Sequence, residues 1–164
     1  MTKFYAPTII GATTLLTIAA GLGGIQGAIA GPETFTIAAN GAITSNEVFN
    51  GTITGQAGGP TNSNFCGWIA NRPNHTFRIN GNGLMSLNLS VVDPNGGVSR
   101  PFTLLIKNAD DPSADPFCAI ADPFSGIPAE IGGVWNPGRY QVFIGNFEQA
   151  GNAGRAPYVL QISQ

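Results

Sequence analysis

Ionisable residues are scarce in this chain. Charged side chains make up only 10 % of 164 residues, seven Lys/Arg against nine Asp/Glu, and there is one histidine. The few cations are scattered, which excludes the basic stripe that nucleic-acid binding needs. A single histidine cannot assemble the ligand sets of a hydrolytic zinc site. There is also no Gly-x-Ser-x-Gly elbow to present a nucleophilic serine. His75, in "RPNHTF" at the start of a strand, therefore reads as a hydrogen-bonded structural residue and not as a general base. Cysteine is almost missing: Cys66 and Cys118 are the only two. After residue 30 no segment carries the capped apolar stripe of an amphipathic helix.

The one long apolar run lies at the N-terminus. "MTKFYAPT" carries a single cation, Lys3, and "IIGATTLLTIAAGLGGIQ" follows, then the small-x-small triplet "AIA" at 28–30. This is the pattern of a signal peptide cut after Ala30. The alternative is a retained membrane anchor, which Gln26 and the glycines in the run weaken. Residues 1–30 are thus expected to be a leader helix and 31–164 one domain, secreted to the extracellular space or periplasm, with no membrane contact once the leader is gone. In such a compartment Cys66 and Cys118 are expected to pair, the alternative being two free buried thiols. Glycine, asparagine, serine and threonine fill the remaining polar positions, as suits an exported surface.

Every periodic segment of the expected domain has period two. Phe35, Ile37 and Ala39 share a side of "TFTIAA", and Phe49 and Ile53 share a face of "EVFNGTITG". Phe77 and Ile79 follow in "HTFRI". Met85, Leu87, Leu89 and Val91 alternate with Ser86, Asn88 and Ser90. Phe102, Leu104 and Ile106, then Tyr140, Val142 and Ile144, then Tyr158, Leu160 and Ile162 repeat the pattern. Alternation of this length marks strands with one buried face. The separators "NGNG", "DPNGG" and "NPG" are turn chemistry, with Asp93-Pro94-Asn95-Gly96 a reverse turn. The expected fold is all-β, an antiparallel β-sandwich of about seven to nine strands of jelly-roll type, with a closed barrel as second choice. The segments 56–64 and 108–116 are expected to be loops, the second because its prolines withhold ladder donors.

Four of the nine acids fall in "KNADDPSADPFCAIADPF". Asp110, Asp111, Asp115 and Asp122 are oxygen ligands on a loop, the kind calcium takes. Their spacing matches neither an EF-hand loop nor a calcium β-helix repeat. A solvated loop anchored by Cys118 is the preferred reading, calcium the alternative, and no other cofactor is indicated. Four aspartates so close together cannot bracket a sugar from two sides, so a glycosidase acid pair is disfavoured. Trp68, Trp135 and Phe143 are the aromatics that could form a ligand-stacking platform; packing at the sandwich ends or on the disulfide is the commoner use of tryptophan. The Asn-x-Ser/Thr triplets at Asn50, Asn74 and Asn88 are unremarkable in an asparagine-rich chain.

The segment "GVWNPGRYQVFIGNF…APYVLQIS" resembles the pre-peptidase C-terminal domain superfamily: an aromatic, Pro-Gly-x-Tyr, alternation ending in Ile-Gly, then Tyr-x-Leu-x-Ile. The likeness spans roughly residues 64–164, with "NHTFRINGNGLMSLNLSVVDPNGGVSRPFTLLI" fitting the central strands. More narrowly, the string around Cys66, Cys118 and "ADPFSG" is similar to small secreted proteins of cyanobacteria and other environmental bacteria. The resemblance implies a β-sandwich with a binding or stabilising role and no catalysis. Such domains often follow a secreted hydrolase, which these 164 residues do not contain; some bind collagen or polysaccharide, and some bind calcium. The expected function is a secreted, non-catalytic module binding an extracellular polysaccharide or protein. The alternative is a structural subunit self-associating by exchange of the N-terminal strand "GPETFTIAAN", which lies outside the resemblance.

Overall fold

The computed structural model describes residues 33–38, 42–44, 51–149 and 155–164. The expected leader helix and cleavage site, with Ala39, Phe49 and Asn50, lie outside the described residues. Among the described residues twelve strands are present: β1 (Glu33–Ile37), β2 (Ile43–Thr44), β3 (Thr52–Ala57), β4 (Thr61–Asn62), β5 (Trp68–Ile69), β6 (His75–Ile79), β7 (Met85–Val92), β8 (Phe102–Asn108), β9 (Phe117–Ile120), β10 (Ala129–Trp135), β11 (Gly138–Asn146) and β12 (Ala156–Ser163). No helix occurs among the described residues.

The strands form two sheets. In the larger, β11 is the hub: β6 and the short β5 pair with successive parts of one edge, and β8 pairs with the other. β1 and β2 extend the sheet beyond β6, β4 lies beyond β5, and β9 lies beyond β8. The smaller sheet has the order β10-β7-β12-β3. Neither sheet closes on itself, so the fold is a sandwich and not a barrel. All pairings are antiparallel except β1 with β6, which run parallel with Phe35 opposite Phe77 and Ile37 opposite Ile79. The turn after β7 forms as its sequence implies: the Gly96 amide donates to the Asp93 carbonyl at 2.9 Å.

The alternating residues meet between the sheets. Phe35, Phe77, Leu104, Val142 and Ile144 from one layer bury against Leu87, Leu89, Val91, Tyr158 and Leu160 from the other. Each fully buried side chain of this size contributes about 1.5–3 kcal/mol relative to exposure. Phe35, Phe77 and Tyr140 stack in sequence, with centroids 5.4 and 5.0 Å apart. Asn74 ties the layers at one end: its Nδ2 donates to the Gln56 carbonyl of β3 at 3.1 Å, and its Oδ1 accepts from the Ile144 amide of β11 at 2.9 Å.

β8 departs from alternation, since Phe102 to Ile106 are all buried. The reason lies on the outer face of the larger sheet. There the loop joining β4 to β5 folds over β8 and β11, and Cys66 is bonded to Cys118 of β9. Under this flap Cys66, Ile69, Leu105 and Phe143 form a second small core. Gly67 permits the close approach: at φ +72°, a Cβ there would overlap the Asn146 carbonyl oxygen.

Candidate functional site

His75 opens β6 facing the core and is 2 % exposed. Its Nε2 and the Tyr158 hydroxyl of the opposite sheet share a hydrogen bond of 2.6 Å. The ring of Tyr158 reaches across because its cross-strand partner is Gly55, where any Cβ would overlap the phenol. Burial pushes the His75 pKa down from 6.5 to about 4, because desolvation disfavours the charged ring. The chain's one histidine is thus sealed in the interior and neutral at ordinary pH.

The aromatics singled out by sequence are mostly packing groups. Trp135 is 5 % exposed; its Nε1–H donates to the Leu87 carbonyl at 2.9 Å, and its ring meets Phe77, Tyr140 and Phe117. Phe143 points to the outer face, as alternation requires, yet is 7 % exposed beneath the flap, with the Lys107 ammonium 5.4 Å from its ring centroid. Trp68 is partly buried in β5, opposite Asn146. Trp135 and Phe143 share no surface: Trp135 belongs to the main core, and Phe143 to the small one.

Each placed carboxylate of the acidic segment, Asp115 excepted, serves its own turn. The Asn108 side-chain oxygen accepts from the amides of Asp110 and Asp111. Asp110 accepts from the amide and guanidinium of Arg139 at 2.8 and 2.7 Å, and these bonds hold its carboxyl below the usual range. The Ser113 hydroxyl and amide do the same for Asp111. The Ser125 hydroxyl and the Phe124 amide do so for Asp122. Asp122 and Ile127 exchange both backbone hydrogen bonds, closing a tight loop that leaves Phe124 fully exposed. Asp115 is exposed. Among the described residues no three His, Cys, Asp or Glu side chains converge as a metal cluster would.

A recessed polar surface lies elsewhere, on the outer face of the smaller sheet. Register places Glu130 of β10, Ser90 of β7, Gln161 of β12 and Thr52 of β3 in one row across the strands. Gly132, Asn88 and Ser163 form the next row. With Val92, Pro128, Gly51 and Ile162, most of these residues line a trough of about 430 Å³. None of these positions was named as a candidate binding residue from the sequence. The alternation marked Asn88 and Ser90 as outward, but β10, with Gly132 and Gly133 at its centre, shows no clean period, so the row could not be assembled.

The class defined by this architecture is an all-β, two-sheet sandwich module with a disulfide-clasped flap and a polar trough. Among solved structures the chain is similar to the pre-peptidase C-terminal domain of a collagenase from Bacillus anthracis, at 17 % identity and a TM-score of 0.46, over 80 % of this chain and 96 % of that one. No protein-family model and no curated protein matches the sequence.

Proposed function

We propose that this chain is a secreted, non-catalytic β-sandwich module that binds an extracellular glycan or protein surface. The observation that carries this reading is the trough on the smaller sheet, whose described residues offer amides, hydroxyls and one carboxylate, suited to holding a ligand by hydrogen bonds. The burial of His75 supports the non-catalytic part, since it withdraws the chain's one imidazole from any substrate. The disulfide supports an oxidising compartment. The purified protein is expected to be retained on cell envelopes or insoluble polysaccharides in a pull-down. Passage through all of them without retention would count against the reading.

A second reading, a structural subunit assembled by strand exchange, draws on β1. This strand pairs in parallel with a strand roughly forty positions later and buries Phe35 and Ile37 in the core. The same groove along β6 would accept 33–37 from another copy. Size-exclusion chromatography at high concentration tests this: a strictly monomeric profile removes it.

A further inference from the structure

The chain contains five Asn-Gly pairs, at Asn40, Asn50, Asn80, Asn82 and Asn95. The first two asparagines lie outside the described residues. The other three sit in the loop before β7 and the turn after it. A glycine that follows asparagine has no side chain to shield its backbone nitrogen from the carboxamide. That nitrogen can attack the side-chain carbonyl carbon and close a succinimide ring. The rate depends on how often the backbone reaches the attacking geometry.

The turn after β7 holds Asn95 away from that geometry. Its nucleophile is occupied, since the Gly96 amide donates to the Asp93 carbonyl at 2.9 Å. Its target is occupied too, because the Asn95 side-chain oxygen accepts from the Gly97 amide at 3.2 Å. The Asp93 amide donates to the Gly97 carbonyl at 2.8 Å, and Asp93 Oδ2 accepts from the Ser99 amide at 2.6 Å. The loop before β7 has no such bracing. Residues 80–84 are all exposed. The Asn80 amide donates to the Ile37 carbonyl at 2.9 Å. Past that bond, neither Asn82 nor Gly83 makes a hydrogen bond among the described residues. A Cβ added at Gly83 would meet nothing within 4 Å, so this backbone has room to turn. Segments with few contacts and exposed backbone open most readily.

We infer that Asn82-Gly83 is a self-modification site, at which the unbraced loop between β6 and β7 turns its asparagine into a carboxylate while the turn after β7 protects Asn95. The Gly83 nitrogen bonds to Asn82 Cγ. The Cγ–Nδ2 bond breaks, and the carboxamide nitrogen leaves as ammonia with the proton that Gly83 gives up. Water then opens the ring. Cleavage at Cγ yields aspartate, and cleavage at the main-chain carbonyl yields isoaspartate, whose main chain is longer by a methylene. Both products add a negative charge to the loop. Residues 80–84 belong to no strand, so both sheets keep their ladders.

The test is incubation of the purified full chain at mildly alkaline pH, where the glycine nitrogen loses its proton more readily. Trypsin digestion and tandem mass spectrometry follow. The tryptic peptide from Ile79 to Lys107 carries Asn82 and Asn95 together, so each is the other's internal standard. Asn82 is expected to convert about tenfold faster than Asn95, the factor that one amide hydrogen bond supplies. In urea, which removes the turn, the two rates should converge. Gly83→Ala has space for its Cβ and crowds the nucleophile. It should slow conversion at Asn82 severalfold and leave Asn95 unchanged, with circular dichroism checking that it folds. An Asn82 that stays intact overturns the assignment, as do equal rates at the two positions in the folded protein. A gap that persists in urea, or an unslowed Gly83→Ala, does the same, since local sequence and not the fold would then set the rate.

Discussion

Acid is expected to weaken this protein before its carboxylates begin to titrate. His75 is almost fully buried against Tyr158, with its pKa lowered to about 4 from 6.5. The unfolded chain takes up this proton as pH falls through 6.5, while the folded chain does not take it until about pH 4. Above that window both states are neutral and the histidine contributes nothing to the pH dependence. Within it the unfolded state binds more protons, so stability falls by about 1.4 kcal/mol per pH unit, or about 3 kcal/mol in all. That is a large share of the 5–15 kcal/mol typical of a domain. The depressed aspartates Asp110, Asp111 and Asp122 act later. Their stabilisation is present above the unfolded value of 3.8 and is lost only as pH falls through their lower folded values. Urea unfolding followed by tryptophan fluorescence, at steps from neutral pH down to about 4.5, measures the slope. His75→Gln removes the titrating ring while keeping a polar partner for the Tyr158 phenol, and should flatten the profile. A wild-type protein equally stable across that range, or a His75 ring resonance titrating with its ordinary midpoint, would refute the reasoning.

Three further outcomes are expected from the same denaturation assay. Replacing both Cys66 and Cys118 by serine opens a link across 52 positions and should cost about 4 kcal/mol by loop entropy; a loss below about 1 kcal/mol would show that the unfolded chain is already restricted. Gly55→Val places a side chain in the space of the Tyr158 phenol and should cost about 1–3 kcal/mol while shifting the His75 ring resonance; an unmoved resonance contradicts the packing. Asn74→Ala removes a bond to each sheet and should cost about 2 kcal/mol; a neutral substitution would mean that water replaces the amide at both positions.

Period-two patterning was enough to read the main core. Leu87, Leu89, Val91, Leu104, Val142, Ile144, Leu160 and Ile162, each placed inward by alternation, are all buried between the sheets. It failed where a second layer intervenes. Thr103, Leu105 and Phe143 point outward, and the flap that covers them comes from a loop around Cys66, far earlier in the chain. It also failed at β10, whose glycines carry no hydropathy signal, and at the two-residue strands β2, β4 and β5, too short for any period to show. The parallel pairing of β1 left no trace either, because β1 alternates like its antiparallel neighbours and strand direction is set by the connection. The trough was hidden for a related reason: its row joins four strands, and only register reveals that Glu130, Ser90, Gln161 and Thr52 are neighbours.

The order in which strands enter the sheets has a consequence for how the chain folds as it is synthesised. β11 joins β6 to β8, and β12 joins β7 to β3, yet these are the last two of the twelve strands. A polypeptide delivered from its N-terminus therefore holds two sets of unjoined strands until residues 138–163 arrive. Neither layer has its keystone before then, so the thread stays loose through most of synthesis and locks late, as one event.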